Sequence, residues 1–139
     1  MRVVLDLNAV LDVLLARDEF LESAEVLLLA AAGKFEAIIP IHGITTVFYF
    51  CRKQMSEEAA RSRIIDLLQA TRVFSITEED VKRAARSAVR DFEDAIVDET
   101  ARESKAQYIL TRDGGDFKES YVPAITPSEF LERFYRKGI

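Results

Sequence analysis

At 139 residues with 49% hydrophobic and 31% charged side chains, the chain has the size and composition of one ordinary globular domain spanning 1–139, which excludes an intrinsically disordered or low-complexity protein. Its longest apolar stretch, residues 26–33, is far short of the roughly 20 residues a membrane helix requires. With Asp6 interrupting any signal-like start, the expectation is a cytoplasmic protein with no membrane association. The net charge of −5 argues against a dedicated DNA-binding domain, which would carry a basic surface. It leaves room for a nucleic-acid enzyme whose clustered carboxylates are neutralised by metal ions.

In chain order, short apolar runs suited to buried strands alternate with longer segments of helical period, the pattern of parallel βαβ units. The first strand is expected over 2–6. Phe20, Ala24, Leu27, Leu28 and Ala31 then recur at helical spacing, and Gly33 stands where a C-terminal cap belongs. A second strand over 36–40 leads to His42, which reads better as a polar helix-start residue than as a general base, because no Ser or Cys nucleophile is visibly paired with it. The aromatic-rich segment 44–54 contains Cys51, the one cysteine, which reads as a small buried residue. Ser56 with Glu57 and Glu58 opens another helix, so two helices fill this second crossover. A third strand is expected over 73–76, and Thr77-Glu78-Glu79-Asp80 has capping-box spacing. Strands over 107–111 and 122–125 follow. Thr126-Pro127-Ser128-Glu129 is a second capping box, with Pro127 suited to the first helical turn. A parallel sheet with helices on both faces results, and ligands in such sheets bind at the carboxyl ends of the strands.

Three groups of acids bear on chemistry. Asp6 ends the first strand with Asn8 two residues on. Taken alone, the pair reads as a helix cap at least as readily as a functional site. Asp91, Asp94 and Asp98 stand at i, i+3 and i+7, along one helical stripe where like charges repel. A solvated face relieved by Arg90 and Arg102 is the plainer reading, whereas the apolar neighbours Phe92, Ala95, Ile96 and Val97 favour a bound cation. Asp113 and Asp116 flank a Gly-Gly pair just past the fourth strand, as either a polar turn or two further ligands. All-oxygen donors favour Mg²⁺ or Mn²⁺ over zinc, and such ions suit phosphodiester hydrolysis. No dinucleotide fingerprint or Walker motif can be written onto the chain, which argues against ATP, GTP and NAD. A phosphatase of the haloacid dehalogenase kind would need an Asp where Asn8 stands.

Taken together, residues 5–12 (LDLNAVLD), 91–95 (DFEDA), 109–113 (ILTRD), Asp116-Phe117 and 126–131 (TPSEFL) resemble the PIN domain, in order and spacing over nearly the whole chain. The nearest likeness is to bacterial stand-alone PIN proteins, many of them ribonuclease toxins of toxin–antitoxin pairs. The resemblance implies a three-layer α/β/α fold with a parallel five-stranded sheet ordered 3-2-1-4-5. It also implies a metal-dependent endoribonuclease that leaves a 5′-phosphate and a 3′-hydroxyl. By that likeness Asp6, Asp94 and one or both of Asp113 and Asp116 are catalytic acids and ligands of Mg²⁺ or Mn²⁺, with Asn8 and Thr111 in support. The family usually carries a glutamate on the helix at 44–49, and here Thr46 stands in that place, with Asp98 or Asp91 as a stand-in. RNA, an antitoxin protein and a second copy of the chain are the partners implied. The alternative, which Thr46 favours, is a PIN module that binds RNA or protein without cutting.

Overall fold

The computed structural model describes residues 1–17 and 20–136, with only the backbone of Phe20. Five strands, β1 (Arg2–Leu5), β2 (Glu36–Pro40), β3 (Arg72–Phe74), β4 (Tyr108–Leu110) and β5 (Ala124–Ile125), form one sheet ordered β3-β2-β1-β4-β5. Every pairing is parallel. Seven α-helices among the described residues cover the two faces: α1 (Leu7–Leu14), α2 (Phe20–Ala31), α3 (Ile41–Arg52), α4 (Glu57–Ala70), α5 (Glu78–Ala85), α6 (Phe92–Glu103) and α7 (Pro127–Phe134). The strand order implied by the sequence resemblance is therefore the one observed.

Alternation along the strands builds the layers. Val3 and Leu5 on β1, Ala37 and Ile39 on β2, and Leu110 on β4 face a core completed by Leu7, Val10, Val26, Val47, Cys51 and Phe130 from the helices. Val4, Ile38 and Ile109 face the opposite way, against Val97 and Ala101 of α6 and against Phe117 and Val122. Val3, Val4, Ile39, Ile109 and Leu110 are fully sequestered from solvent, and each such side chain contributes about 1.5–3 kcal/mol relative to leaving it in water. Cys51 is part of this packing, as its sequence context indicates.

The caps form as the sequence specifies. Thr77 and Thr126 each make both bonds of a capping box, Ser56 accepts from the Ala59 N–H, and Gly33 adopts φ +78° beyond α2. The first crossover differs from expectation. It holds two helices rather than one, because α1 stops at Leu14 and Ala16 takes a left-handed φ of 49°. The expected anchor Phe20 begins α2, but its side chain lies outside the described residues. Strand β2 has the expected bounds and the other four strands are shorter than expected: Ile76, for example, lies past β3 and packs instead on the Ala84, Val89 and Ile96 cluster between α5 and α6.

Candidate active site

The carboxyl ends of β1 and β4 lie side by side at the centre of the sheet, with Leu5 opposite Leu110, so the residues that follow them meet at the point where strand order reverses. Asp6 emerges here. Its backbone N–H continues the ladder to the Leu110 carbonyl at 2.9 Å. Oδ1 accepts from the Leu7 N–H at 2.8 Å, making Asp6 the N-cap of α1. Oδ2 accepts from the Thr111 hydroxyl at 2.8 Å. The same hydroxyl accepts the Asp113 N–H at 3.2 Å, so buried Thr111 ties the first acid to the loop that carries the others. Cap and candidate ligand are thus one residue. Burial raises the Asp6 carboxyl, with Glu93 and Asp116 adding to the rise, while the bonds from Thr111 and Leu7 oppose it.

Helix α6 brings the second group. Asp91 is its N-cap, accepting from the Asp94 N–H at 3.0 Å, which leaves Asp94 in the first turn facing the cleft. Burial is the main reason Asp94 is pushed up to about 7, followed by the charges of Asp6, Asp91, Asp116 and Glu93. A carboxyl displaced this far by burial and by charged neighbours marks a place where negative charge is concentrated beyond what the protein's own hydrogen bonds neutralise. Asp116, in the 3₁₀ turn Gly114–Phe117, is raised by desolvation and by Asp113 beside it. It lines, with Asp91 and Asp94, a cleft of about 500 Å³ on which Arg90 and Lys118 also stand.

The other expected residues differ in their settings. Asn8 is exposed in the first turn of α1. Thr46 is half-buried, one helical turn beyond Gly43. Gly43 is what lets α3 approach, since a Cβ there would come within 2.3 Å of Leu7 Cδ2. Asp98 faces elsewhere. It is buried, and its two oxygens accept the Tyr121 and Val122 N–H groups at 3.0 and 3.2 Å, fastening the segment before β5 to α6. Glu93, which the sequence reading does not single out, sits beside Asp94, and its charge is felt at Asp6, Asp94 and His42. Adjacency to Asp94 was the only signal for it.

Two further features position the site. Fully buried Asp12 on α1 pairs with Arg112 at 3.2 Å and with Arg17 at 3.9 Å, joining α1 to the residue that follows Thr111. Behind α6, Arg102 reaches Asp80 at 3.1 Å and Glu99 at 2.9 Å, and Arg83 pairs with the same two acids. Arg102 does relieve one member of the acid stripe, since its charge lowers Asp98, but its ion pairs serve the α5–α6 contact. Among the described residues no three Asp, Glu, His or Cys side chains close into a ready-made metal cage. The donor set of Asp6, Asp94 and Asp116 nevertheless suits a hard divalent cation: it is all oxygen, and its members raise one another's affinity for positive charge.

Comparison with known proteins agrees with the fold. A PIN domain family model matches residues 2–114. Among solved structures, VapBC2 from Rickettsia felis bound to a DNA fragment from its promoter is similar with a TM-score of 0.70 at 14% identity, covering 91% of this chain and 98% of that one. VapC20 of Mycobacterium tuberculosis, described as a sarcin-ricin loop cleaving toxin, gives 0.62 at 19% identity over 82% and 92% of the two chains. VapBC-1 from nontypeable Haemophilus influenzae gives 0.68 at 11% over 92% and 99%. No curated protein sequence matches. With the family model covering most of the chain, and with β1 and β4 meeting at the acid-lined centre of a 3-2-1-4-5 sheet, the chain belongs to the PIN domain family.

Proposed function

We propose that this protein is a divalent-metal-dependent endoribonuclease and the toxin of a toxin–antitoxin pair. The observation that carries the reading is the convergence of Asp6, Asp94 and Asp116 at the β1/β4 switch point, where burial first and then the charges of Asp6, Asp91, Asp116 and Glu93 raise Asp94 to about 7. These three residues are the proposed ligands of Mg²⁺ or Mn²⁺. Asp116 is favoured over Asp113 because its charge reaches both Asp6 and Asp94. When bound, the ion supplies charge neutralisation at the scissile phosphate and a more acidic water. The chain's own contribution is to hold the acids in place: Thr111 and the Leu7 N–H fix the two oxygens of Asp6, and the α6 cap orients Asp94. Arg90 and Lys118, on the same cleft, stand where flanking phosphates of a single-stranded or looped RNA would pass.

Glu93 gives the cluster a fourth carboxylate from α6, compensating for the uncharged Thr46 on α3. Asp98, with both oxygens committed to backbone N–H groups, is not suited to that part. The three solved relatives come from VapBC systems or VapC toxins, which supports an antitoxin as partner. The apolar groove of Ile44, Phe48, Ile64 and Ile65 between α3 and α4 offers it a surface, and a homodimer is part of the same reading. No helix among the described residues is long and apolar enough to cross a membrane.

Calorimetric titration of chelator-stripped protein with Mn²⁺, paired with an RNA-cleavage screen, tests the proposal. Binding and cleavage are expected in the wild type and lost in Asp6→Asn. Thr46 favours a second reading, a module that binds RNA without cutting, and wild-type protein that takes up no Mn²⁺ would establish it in place of the first.

A further inference from the structure

The first turn of α6 separates two cavities of similar size and opposite character. On one side lies the carboxylate cleft holding Asp91, Asp94 and Asp116. On the other lies a cavity of about 490 Å³ at the carboxyl ends of β2 and β3, lined by Ile41, His42, Phe74, Phe92, Glu93 and Ile96 among others. Glu93 and Asp94 are consecutive, so the wall between the cavities is one helical turn thick, and the Glu93 charge acts on both Asp6 and His42.

The second cavity carries three marks of an unfilled recognition site. Phe92 is 54% exposed although it stands at its mouth. The His42 Nε2 atom is buried and has no hydrogen-bond partner among the described residues, which leaves a polar group whose desolvation is uncompensated. Burial holds this imidazole below its usual range, against the opposing pull of Glu93, so at neutral pH it is an uncharged hydrogen-bonding group. The lining has no Lys or Arg and one acid, Glu93, so a phosphate or carboxylate would be repelled. A flat, neutral ring with a hydrogen-bonding edge fits both the aromatic walls and the half-buried imidazole that lines them.

We propose that this cavity is a base-recognition subsite, receiving one unstacked nucleobase of the RNA next to the scissile phosphate, stacked on Phe92 and hydrogen-bonded by the His42 imidazole. The proposal rests on the nuclease reading of the neighbouring cleft and assigns it a source of sequence preference. Stacking an unpaired base on an aromatic side chain while its edge is read by hydrogen bonds is how proteins recognise single-stranded RNA. The backbone phosphate then falls on the Arg90 and Lys118 side of the α6 turn, and the uncharged base on the other.

The test uses adenosine, guanosine, cytidine and uridine, which lack the phosphate that a metal centre would bind, added to full-length protein in a chelator. His42 is the chain's one histidine, so its imidazole NMR signals are unambiguous. At least one nucleoside should shift them saturably, and Phe92→Ala should weaken that binding about tenfold, leave Mn²⁺ binding unchanged, and flatten base preference at one position beside the cut. The proposal is overturned if no nucleoside moves the His42 signals, if the shift survives Phe92→Ala at unchanged affinity, or if the signals move with protein concentration alone, which would assign the cavity to a second copy. Mn²⁺ binding and cleavage without nucleoside binding would sink the subsite alone. Nucleoside binding without Mn²⁺ binding would leave the subsite standing and sink the catalytic reading.

Discussion

Replacing Asp94 with Asn should stabilise the metal-free protein, and the size of the gain follows from the carboxylate cluster. Folded Asp94 keeps its proton up to about pH 7, whereas its ordinary value is 3.8. Between those values the folded state binds more protons than the unfolded chain, so the Asp94 contribution to stability falls as pH rises from 3.8 to 7 and stays low above it. The displacement from 3.8 to about 7 corresponds to a ceiling of about 4 kcal/mol. Partial exposure of Asp94 weakens both the desolvation and the charge effects that cause it, and about half that figure, roughly 2 kcal/mol, is the expected gain. Asn keeps the shape of the protonated acid without ionising, so the gap between variant and wild type should open with pH. In thermal melts with chelator we expect near-equal midpoints at pH 4 and a variant about 6 °C higher at pH 8. Mn²⁺ should raise the wild-type midpoint at pH 8 and leave the variant unmoved. A variant that melts below the wild type at pH 8, or a gap that does not change with pH, would refute the reasoning that Asp94 sits in unrelieved negative charge.

Thr111→Val removes the hydroxyl that donates to Asp6 Oδ2 at 2.8 Å and accepts from Asp113. It should cost about 2 kcal/mol in urea unfolding and lower cleavage more than it lowers RNA binding. Asp98→Asn presents an amide NH₂ to one of two backbone N–H donors. A loss of about 1–3 kcal/mol is expected by the same assay, with Mn²⁺ affinity unchanged within about twofold; a large loss of affinity would return Asp98 to the ligand set. Asp80 is held down to about 2 although burial alone would raise it, because Thr77 and Arg83 hydrogen-bond its charged form. Its contribution of about 2 kcal/mol is present above pH 4 and lost as pH falls toward 2. Asp80→Asn should therefore flatten the acid limb of the stability profile measured by chemical denaturation.

What the sequence makes legible here is what short-range chemistry decides. The boxes at Thr77 and Thr126 close within one turn, so four residues suffice to specify them. The sheet order followed from family likeness, and the meeting of Asp6 with Thr111 follows from the order, since strands one and four must be neighbours for it. Other features depend on partners that periodicity cannot name. The spacing of Asp91, Asp94 and Asp98 puts them on one stripe, yet the first caps the helix, the second enters the cleft and the third is fastened to backbone 23 and 24 residues away. The break after α1 turns on Ala16 in a left-handed conformation, and alanine gives no warning of one. Glu93 and His42 are ordinary polar residues near helix starts until the seating of α6 beside α3 makes them neighbours.

The same geometry explains how the fold itself offsets part of the charge of so many acids in one place. Asp6 is the N-cap of α1, and Asp91, Glu93 and Asp94 occupy the cap and first turn of α6, so two helix N-termini direct their unpaired N–H groups and positive dipole ends at the cluster. Each such end is worth about 0.3–1 kcal/mol to a nearby carboxylate, and the Leu7 and Asp94 N–H groups add direct bonds to Asp6 and Asp91. These contributions fall short of the combined effect of burial and repulsion, because Asp94 is still displaced to about 7. The helices thus offset part of the charge and leave the remainder for a ligand. If Asp94 is a metal ligand as proposed, Mn²⁺ affinity measured by calorimetry should rise with pH, since protons and cations compete for its carboxylate.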